Sequence, residues 1–395
     1  MENKMTNLPQ GWEVKTLSEI GEIITGSTPS KSNVEFYRKD YPFFKPSDFE
    51  QGYFLENAGD NLSKLGFGKA RQLPPKTILV VCIGSLGKVA LTRVIGSCNQ
   101  QINAIIPHKN IISEYIYYYC ISSKFQSILF SKAPQTTLAI FNKTEFSKLE
   151  IIYPKDIKEQ ERIVGILDFA FSKIDENIKK AKENLANIDE LMQSALQKAF
   201  NPLKDNAKEN YKLPQSWEWK SLEEISENIS AGGDKPKNCT ESKTAKNQIP
   251  VYANGVNNNG LVGYTDKATI IKPSLTISAR GTIGFVCIRK EPYFPIVRLI
   301  SLIPCENILC LHYLYFCLNF FIAKGEGSSI PQLTIPKFKS LQIPLPPLKE
   351  QEQIASHLDS VFEKTKALKE LYTKELKDYE ELKQSLLDKA FKGEL

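Results

Sequence analysis

The 395-residue sequence is poor in histidine, with three His, and none of its eight cysteines forms a Cys-x-x-Cys pair. The usual spacing of zinc ligands is therefore missing, and three histidines give little basis for histidine-based catalysis. Scattered cysteines of this kind are typical of a protein in a reducing cytoplasm. The N-terminus also lacks the basic-then-apolar pattern of a signal peptide. A cytoplasmic location is the expectation.

Long apolar runs are missing too. The most apolar window, Ile308–Ala323, contains His312 and Asn319 and is shorter than the ~20 residues that a bilayer span needs. It predicts a buried helix and no membrane partner. No Gly-x-x-x-x-Gly-Lys-Ser/Thr phosphate loop occurs in the sequence. The glycine pairs at Gly84–Gly87 and Gly281–Gly284 lie between strand-like runs instead. Those pairs predict tight hairpins.

The net charge of +6 is distributed unevenly. Residues 1–157 hold 18 Lys and Arg against 14 Asp and Glu, and residues 213–348 hold 14 against 10, so each segment carries +4. Residues 158–212 balance at 10 and 10, and residues 349–395 carry −2 from 9 and 11. Two separate basic segments favour a polyanion that contacts both of them. By charge alone, an ordinary protein surface is an equally good interpretation.

The segment Lys158–Phe200 has no proline, one glycine and apolar residues at helical spacing. Asp156 and Glu159 suggest a capping box, and Asn201-Pro202 would end the helix. At ~1.5 Å per residue the helix is roughly 65 Å long. These apolar residues form one narrow stripe along the helix, and a partner helix is required to bury it. The predicted seam comprises Leu167, Ile174, Ala181, Leu185, Ile188 and Met192 on this helix and Leu358, Leu376, Tyr379 and Leu386 on its partner.

The partner is a second copy of the same segment. Lys349–Phe391 matches Lys158–Phe200 without a gap, with 18 of 43 positions identical. The stretches before the two helices also correspond: Leu8-Pro-Gln-Gly-Trp12 resembles Leu213-Pro-Gln-Ser-Trp217. Each is followed by a Gly/Ser/Lys-rich stretch, a hairpin, an aromatic helix and a closing strand. The chain is therefore an internal duplication.

The expected fold class is α+β, with two globular domains of mixed α/β structure and twisted sheets. They are joined by two long antiparallel coiled-coil helices in a pseudo-two-fold arrangement, because a short linker cannot carry the chain ~65 Å back to start a parallel partner. The predicted divisions are a first domain at 1–157, a long spacer helix at 158–200, a linker at 201–212, a second domain at 213–348 and a second spacer helix at 349–395.

With these motifs in this order, twice, the chain resembles the specificity subunits of type I restriction–modification systems. The resemblance rests on the two Leu-Pro-Gln-x-Trp motifs, on Pro346-Pro-Leu-Lys-Glu-Gln351 and on Ala390-Phe-Lys-Gly-Glu-Leu395. It implies two target-recognition domains, each reading one half of a bipartite, gapped sequence in double-stranded DNA, with the helices as a ruler. Half-sites at most about two helical turns apart would suit a rod of ~65 Å.

The resemblance also implies partners: two modification subunits that bind S-adenosylmethionine and methylate adenine at N6, and restriction subunits that use ATP and Mg²⁺. No cofactor is expected on this chain. It has no Asn/Asp-Pro-Pro-aromatic methyltransferase motif, since Asn201-Pro-Leu-Lys lacks the second proline and the aromatic residue. The chain is expected to be non-catalytic.

Basic residues near the predicted loops are the candidates for DNA contact, and the sequence does not separate base readers from phosphate contacts. Gln135 and Gln332 stand at non-equivalent positions, so neither is assigned a base. Divergence between the two loop regions predicts an asymmetric target. The candidates are Lys31, Lys45, Lys88 and Arg93 in the first domain and Lys237, Lys272, Arg280 and Arg298 in the second.

Two alternatives stay open. A coiled-coil scaffold with protein-binding globular ends would explain the duplication equally well, but not the basic charge of both domains. A subunit of a system that methylates without restricting would have the same sequence features, because that difference lies in the partners.

Overall fold

The computed structural model describes residues 8–132, 140–200, 214–322 and 333–395. The chain divides into two compact units, unit 1 with Met1–Lys182 and Thr373–Leu395 and unit 2 with Glu183–Tyr372. Each unit thus holds one globular domain and part of both long helices. The predicted linker at 201–212, Gln135 and Gln332 all lie outside the described residues.

The described part of the first domain contains ten strands, five helices and two short 3₁₀ turns at Val34–Phe36 and Pro46–Gln51. The strands are β1 (Trp12–Thr16), β2 (Gly21–Thr25), β3 (Tyr41–Phe44), β4 (Phe54–Leu55), β5 (Asp60–Leu62), β6 (Ile78–Val81), β7 (Val89–Thr92), β8 (Ser97–Cys98), β9 (Ile102–Pro107) and β10 (Glu150–Pro154). The helices are α1 (Leu17–Ile20), α2 (Lys64–Lys69), α3 (Ser113–Ile121), α4 (Ser123–Lys132) and α5 (Lys143–Ser147). The first long helix, α6 (Ile157–Phe200), follows.

The described part of the second domain contains nine strands, two helices and a 3₁₀ segment at Asn257–Gly260. The strands are β11 (Glu218–Ser221), β12 (Ser226–Ala231), β13 (Ile249–Tyr252), β14 (Leu261–Thr265), β15 (Ser274–Ile277), β16 (Val286–Arg289), β17 (Phe294–Pro295), β18 (Ile300–Pro304) and β19 (Gln342–Leu345). The helices are α7 (Leu311–Phe321) and α8 (Ile335–Lys339), and the second long helix is α9 (Leu348–Ala390).

The sheets of the two domains correspond. The main sheet has the order β2-β9-β6-β7-β4 in the first domain and β12-β18-β15-β16 in the second. The small sheets β5-β3-β8 and β14-β13-β17, and the pairs β1-β10 and β11-β19, match as well. The first domain differs by the added edge strand β4. The predicted α+β class and the internal duplication are confirmed.

The predicted hairpins are also confirmed. β6 pairs antiparallel with β7, and β15 with β16. Gly84 and Gly87 have φ of 83° and 89°, and Gly281 and Gly284 have φ of 68° and 82°. Because L residues rarely adopt this left-handed conformation, glycine is the residue that closes both turns without strain.

The aromatic helices belong to the cores, as the sequence indicates. In α3, Tyr115 is fully buried, and in α7, Tyr313 is fully buried. Each core is completed by the end of a long helix. The Phe391 ring, just past α9, lies 5.4 Å from Tyr115 in unit 1, and the Phe200 ring, at the end of α6, lies 5.6 Å from Tyr313 in unit 2.

The long helices run antiparallel within each unit. In unit 1, Asp175 of α6 pairs with Lys383 of α9. In unit 2, Asp189 of α6 pairs with Lys369 of α9. All ten predicted seam residues are buried or half-buried. Within the described ranges, no helix is long and apolar enough to span a membrane.

Two details of the helix ends differ from expectation. Asp156 does cap α6, because its carboxylate accepts the Lys158 amide at 3.0 Å. The capping box is incomplete, since Glu159 binds the Arg162 guanidinium at 2.8 Å through each of its oxygens instead of the backbone. The second long helix ends at Ala390 and does not continue to Leu395, because Gly393 has a φ of 73° and the chain turns there.

Candidate nucleic-acid interface

Several loops of the second domain leave one end of its main sheet. Ile277 of β15 faces both Val286 of β16 and Ile300 of β18, and Ala231 of β12 also faces Ile300. The hairpin turn at 278–285, the loop at 296–299 and the loop that begins at 232 therefore emerge together. We call this end, with residues 232–233, 254–260, 278–285 and 296–299, the loop edge of the second domain.

Three predicted contact residues lie in the loops that leave this end of the sheet, and two of them, Arg280 and Arg298, belong to the loop edge. Arg280 lies in the hairpin turn, Arg298 precedes β18, and Lys237 lies in the loop after β12. All three side chains are exposed. Lys272 is different. It precedes β15, at the opposite end of the sheet, and its ammonium is 2.6 Å from Glu227. The structure thus brings together Arg280 and Arg298, but not Lys272.

Asn254 ties the two arginine-bearing loops to each other. Its Oδ1 accepts the Ala279 amide at 2.8 Å, and its Nδ2 donates to the Val297 carbonyl at 2.6 Å. The next residue helps, because the Gly255 amide donates to Ser278 Oγ at 3.3 Å. One half-buried side chain therefore fixes the spacing between the turn that holds Arg280 and the loop that holds Arg298.

The loop at 296–299 has an unusual backbone. Val297 and Arg298 have φ of 53° and 58°. Both amides are satisfied, since they donate to the carbonyls of Gly233 and Gly232 at 2.8 Å each. A left-handed conformation is unfavourable for L residues, above all for β-branched ones, and such strain concentrates at functional sites. The Val297 side chain is nonetheless 51% exposed.

A second left-handed pair lies in the loop at 254–260, where Asn258 and Asn259 have φ of 48° and 51°. The buried Arg289 holds this loop, because its Nη2 donates to the Asn259 carbonyl at 2.5 Å. The same guanidinium donates to Thr276 Oγ1 at 3.0 Å and lies 3.5 Å from the centre of the Tyr252 ring. Arg289 is therefore a structural residue, and the exposed asparagines are left on the surface.

The first domain has an equivalent loop edge. The Gly26 amide donates to the Ile102 carbonyl at 2.9 Å, as the Gly232 amide donates to Leu299 at 2.8 Å. By this correspondence Gln100 and Gln101 take the places of Val297 and Arg298. Gln100 is exposed, and its Oε1 accepts the Thr28 hydroxyl at 2.6 Å. Gln101 is half-buried, and its Oε1 accepts Asn99 Nδ2 at 2.7 Å. Glutamine reads adenine well, so the exposed Gln100 is the candidate reader here, although neither residue was a candidate from the sequence.

Two candidates of the first domain lie at or beside its loop edge. Lys31 is exposed in the loop that follows Gly26. Lys45 comes directly after β3, next to the loop of Gln100, because the Asn99 amide donates to the Phe44 carbonyl at 3.1 Å. The ammonium of Lys45 pairs with Asp60. Exposed pairs of this kind are worth ~0–1 kcal/mol, so a phosphate could replace the carboxylate at small cost.

A third candidate, Lys88, ends the hairpin turn of this loop edge, but its side chain and that of Arg93 contact a different part of the domain. Lys88 pairs with Glu50, and this contact lowers the pKa of the Glu50 carboxyl. Arg93 is 2.8 Å from Glu56 and lies 3.7 Å over the Phe54 ring. Both residues line a cavity of about 830 Å³ in unit 1 whose wall includes parts of α6 and α9. Arg93 follows β7, at the end of the sheet opposite the loop edge.

Two duplicated domains, each with a loop edge of divergent polar residues on a shared sheet frame, define a protein with two homologous recognition domains. Comparison with known proteins identifies the family. The model of the type I restriction modification DNA specificity domain matches residues 9–187 and 214–378, and the chain belongs to this family.

Individual relatives of the chain are specificity subunits as well. The chain is 39% identical over 176 residues to the type I restriction enzyme HindI specificity subunit of Haemophilus influenzae, a match that covers 43% of this chain and 38% of that relative. The match to the HindI subunit therefore spans less than half of its length. Identity to the type I restriction enzyme MjaIX specificity subunit of Methanocaldococcus jannaschii is 24% over 398 residues, covering 92% of this chain and 89% of the relative.

Among solved structures, the HsdS subunit from Thermoanaerobacter tengcongensis has a TM-score of 0.61 at 21% identity, with 100% of both chains covered. A chain from a study of complex assembly and conformational transition of the type I R-M system has a TM-score of 0.82 at 20% identity, covering 99% of this chain and 100% of that one. At such identities the likeness concerns the fold.

Proposed function

We propose that this chain is the DNA-reading specificity subunit of a type I restriction–modification complex, in which each domain recognises one half of a bipartite, gapped target. The observation that carries the proposal is the pair of loop edges. They emerge from equivalent sheets but differ in side chains, with Gln100 and Gln101 in one and Val297 and Arg298 in the other. A shared frame with divergent polar loops suits two readers of different sequences.

The divergence also favours an asymmetric target. Glutamine pairs with adenine through two hydrogen bonds, whereas arginine pairs in this way with guanine. Two domains with Gln100 exposed in one loop edge and Arg298 exposed in the other would prefer different half-sites. Recovery of a perfect palindrome as the target would contradict this part of the proposal.

Catalysis is assigned to partner subunits. Two modification subunits would bind S-adenosylmethionine and methylate adenine at N6, and restriction subunits would supply the ATP- and Mg²⁺-dependent steps. In the portion of the chain that the structure describes, no three His, Cys, Asp or Glu side chains are grouped to bind a metal ion. A non-catalytic role for this chain and a cytoplasmic location form part of the same proposal.

The decisive experiment is a base-resolution map of N6-methyladenine in DNA from cells that express this chain with its neighbouring modification subunit. Cells that express the modification subunit alone are the control. We expect a gapped, bipartite motif only when both chains are present. If the complex assembles and its methyltransferase is active, but no new motif arises, the proposal is wrong and the scaffold alternative gains support. That alternative also predicts no salt-sensitive affinity for duplex DNA.

A further inference from the structure

We propose that Val297, Arg298 and Arg280 form the base-reading element of the second domain, and that Asn254 is the positioning residue that sets its geometry. This inference rests on the proposed function, because it names the part of one domain that reads the DNA. It separates base reading, which needs fixed geometry, from phosphate contact, which needs only charge.

The backbone of Val297 and Arg298 is held in a left-handed conformation. Two consecutive non-glycine residues with φ of 53° and 58° persist only where the surroundings fix them. Here the fixing contacts are all directed inward: both amides donate to carbonyls of the loop after β12, and the Val297 carbonyl accepts Asn254 Nδ2. The exposed valine and arginine side chains therefore leave the sheet from a fixed backbone.

Asn254 links the loop that holds Arg298 to the turn that holds Arg280. Arg280 and Arg298 lie beyond the paired ends of β15 and β18, because the ladder stops at Ile277 and Ile300. The amide of Asn254 contacts the backbone beside each of them, at 2.8 Å and 2.6 Å. An amide side chain suits this place because it offers an acceptor to the Ala279 N–H and a donor to the Val297 carbonyl at the same time. Aspartate would retain the first contact and lose the second.

The chemistry of the element specifies a base class. A guanidinium on a fixed backbone can donate two parallel hydrogen bonds to O6 and N7 of guanine in the major groove, and an adjacent valine can contact the methyl group of thymine. We therefore expect at least one G·C pair in the half-site of the second domain. A lysine at position 298 would keep the charge but lose the fork of donors.

The test uses the full chain in complex with its modification subunit. The variants are Arg298→Lys, Arg298→Ala, Asn254→Asp and Asn254→Ala, with Lys272→Ala as the matched control at the opposite end of the sheet. The readouts are the N6-methyladenine motif in cells and binding to a duplex library in which each base pair of the target is varied. Circular dichroism and thermal unfolding report whether each variant is folded.

For Arg298→Lys we expect at least a tenfold loss of discrimination at one G·C pair of a single half-site, with total affinity changed only a few-fold. Asn254→Asp, which retains the Ala279 contact, should relax the same half-site and leave the other half-site unchanged. Lys272→Ala should keep the wild-type motif. A wild-type motif from folded Arg298→Lys and Asn254→Asp would overturn this inference. Absence of any motif with the wild-type chain would overturn the proposed function instead.

Discussion

Gln160 and Gln351 make the same three hydrogen bonds, each in its own domain. Both side chains are fully buried. Each Oε1 accepts a backbone amide just before the aromatic helix at 2.9 Å, from Ile112 in the first domain and from Cys310 in the second. Each Nε2 donates to two carbonyls, those of Asn110 and Pro154 or those of Ile308 and Pro346. Gln160 lies in Lys158-Glu-Gln-Glu161 and Gln351 in Lys349-Glu-Gln-Glu352, so this repeated motif is a structural clamp between a long helix and its domain.

The clamp predicts a local loss of stability in Gln160→Ala and Gln351→Ala. Each change leaves buried backbone groups without partners, at about 1–3 kcal/mol per group. Hydrogen exchange should accelerate at the Ile112 amide in the first variant and at the Cys310 amide in the second. Gln353→Ala, at an exposed position of α9, is the control. Equal acceleration in both domains from either single variant would contradict the clamp.

A second prediction concerns the equivalent glycines Gly26 and Gly232. A Cβ at Gly26 would lie 2.1 Å from the Asn99 carbonyl oxygen, and a Cβ at Gly232 would lie 2.5 Å from the Pro295 carbonyl carbon. Because backbone cannot move aside easily, alanine at either site should cost at least ~1–3 kcal/mol. The adjacent Gly233 has no atom within 4 Å of its ideal Cβ, so Gly233→Ala should stay within about 0.5 kcal/mol of wild type. Urea unfolding distinguishes the three variants, and equal losses in Gly232→Ala and Gly233→Ala would rule out the close-approach explanation.

The strained backbone of Val297 leads to a third prediction. Asparagine tolerates the left-handed conformation, so Val297→Asn should stabilise the second domain by ~1 kcal/mol. Val297→Ala removes the β-branch but keeps an unfavourable φ, so its gain should be smaller. Little burial is lost in either variant, since the valine is 51% exposed. Chemical denaturation of both variants measures the difference, and equal stability of the two would show that the backbone is not strained.

The first domain should be sensitive to alkali. Burial raises the pKa of Tyr53, Tyr115, Tyr117, Tyr118 and Tyr119, and for Tyr118 the hydrogen bond to the Asp168 carboxylate raises it further. In the unfolded chain these phenols ionise near pH 10. A folded pKa above the unfolded one gives stability that is complete below pH 10 and is lost as the pH rises beyond it.

We therefore expect the free energy of unfolding to fall steadily between pH 10 and 11, with little change between pH 8 and 9.5. Tyr118→Phe keeps the ring and removes the ionising hydroxyl, so its decline above pH 10 should be less steep. Urea titrations at these pH values test this. A free energy that is constant up to pH 11 would contradict the predicted effect.

Much of the fold follows from local sequence. The repeat of the long helices, the glycine-closed hairpins and the aromatic core helices depend on spacing and residue type within short segments. The sequence also shows the Lys-Glu-Gln-Glu repeat, but it does not show which contacts the repeated glutamines make. The clamp joins Gln160 to Ile112 and Gln351 to Cys310 across more than 40 residues of sequence.

The loop edges could be predicted only in part. Arg280 and Arg298 were candidates because they are basic and lie beside turns, and so was Lys272, which the structure places at the opposite end of the sheet. Nothing local distinguishes the three. Asn254 and Gln100 give no signal in the sequence apart from their residue types. Their roles arise from contacts 25 to 72 residues away in sequence.

The placement of Phe391 has a consequence for synthesis on the ribosome. This ring completes the aromatic core around Tyr115 and lies 4.9 Å from the Tyr119 ring. It is translated only after the whole second domain, a delay on the order of tens of seconds at typical elongation rates. During this time, the nascent first domain lacks the Phe391 ring that covers part of its tyrosine cluster. Phe200, in contrast, has already been synthesised when the second domain begins to emerge from the ribosome.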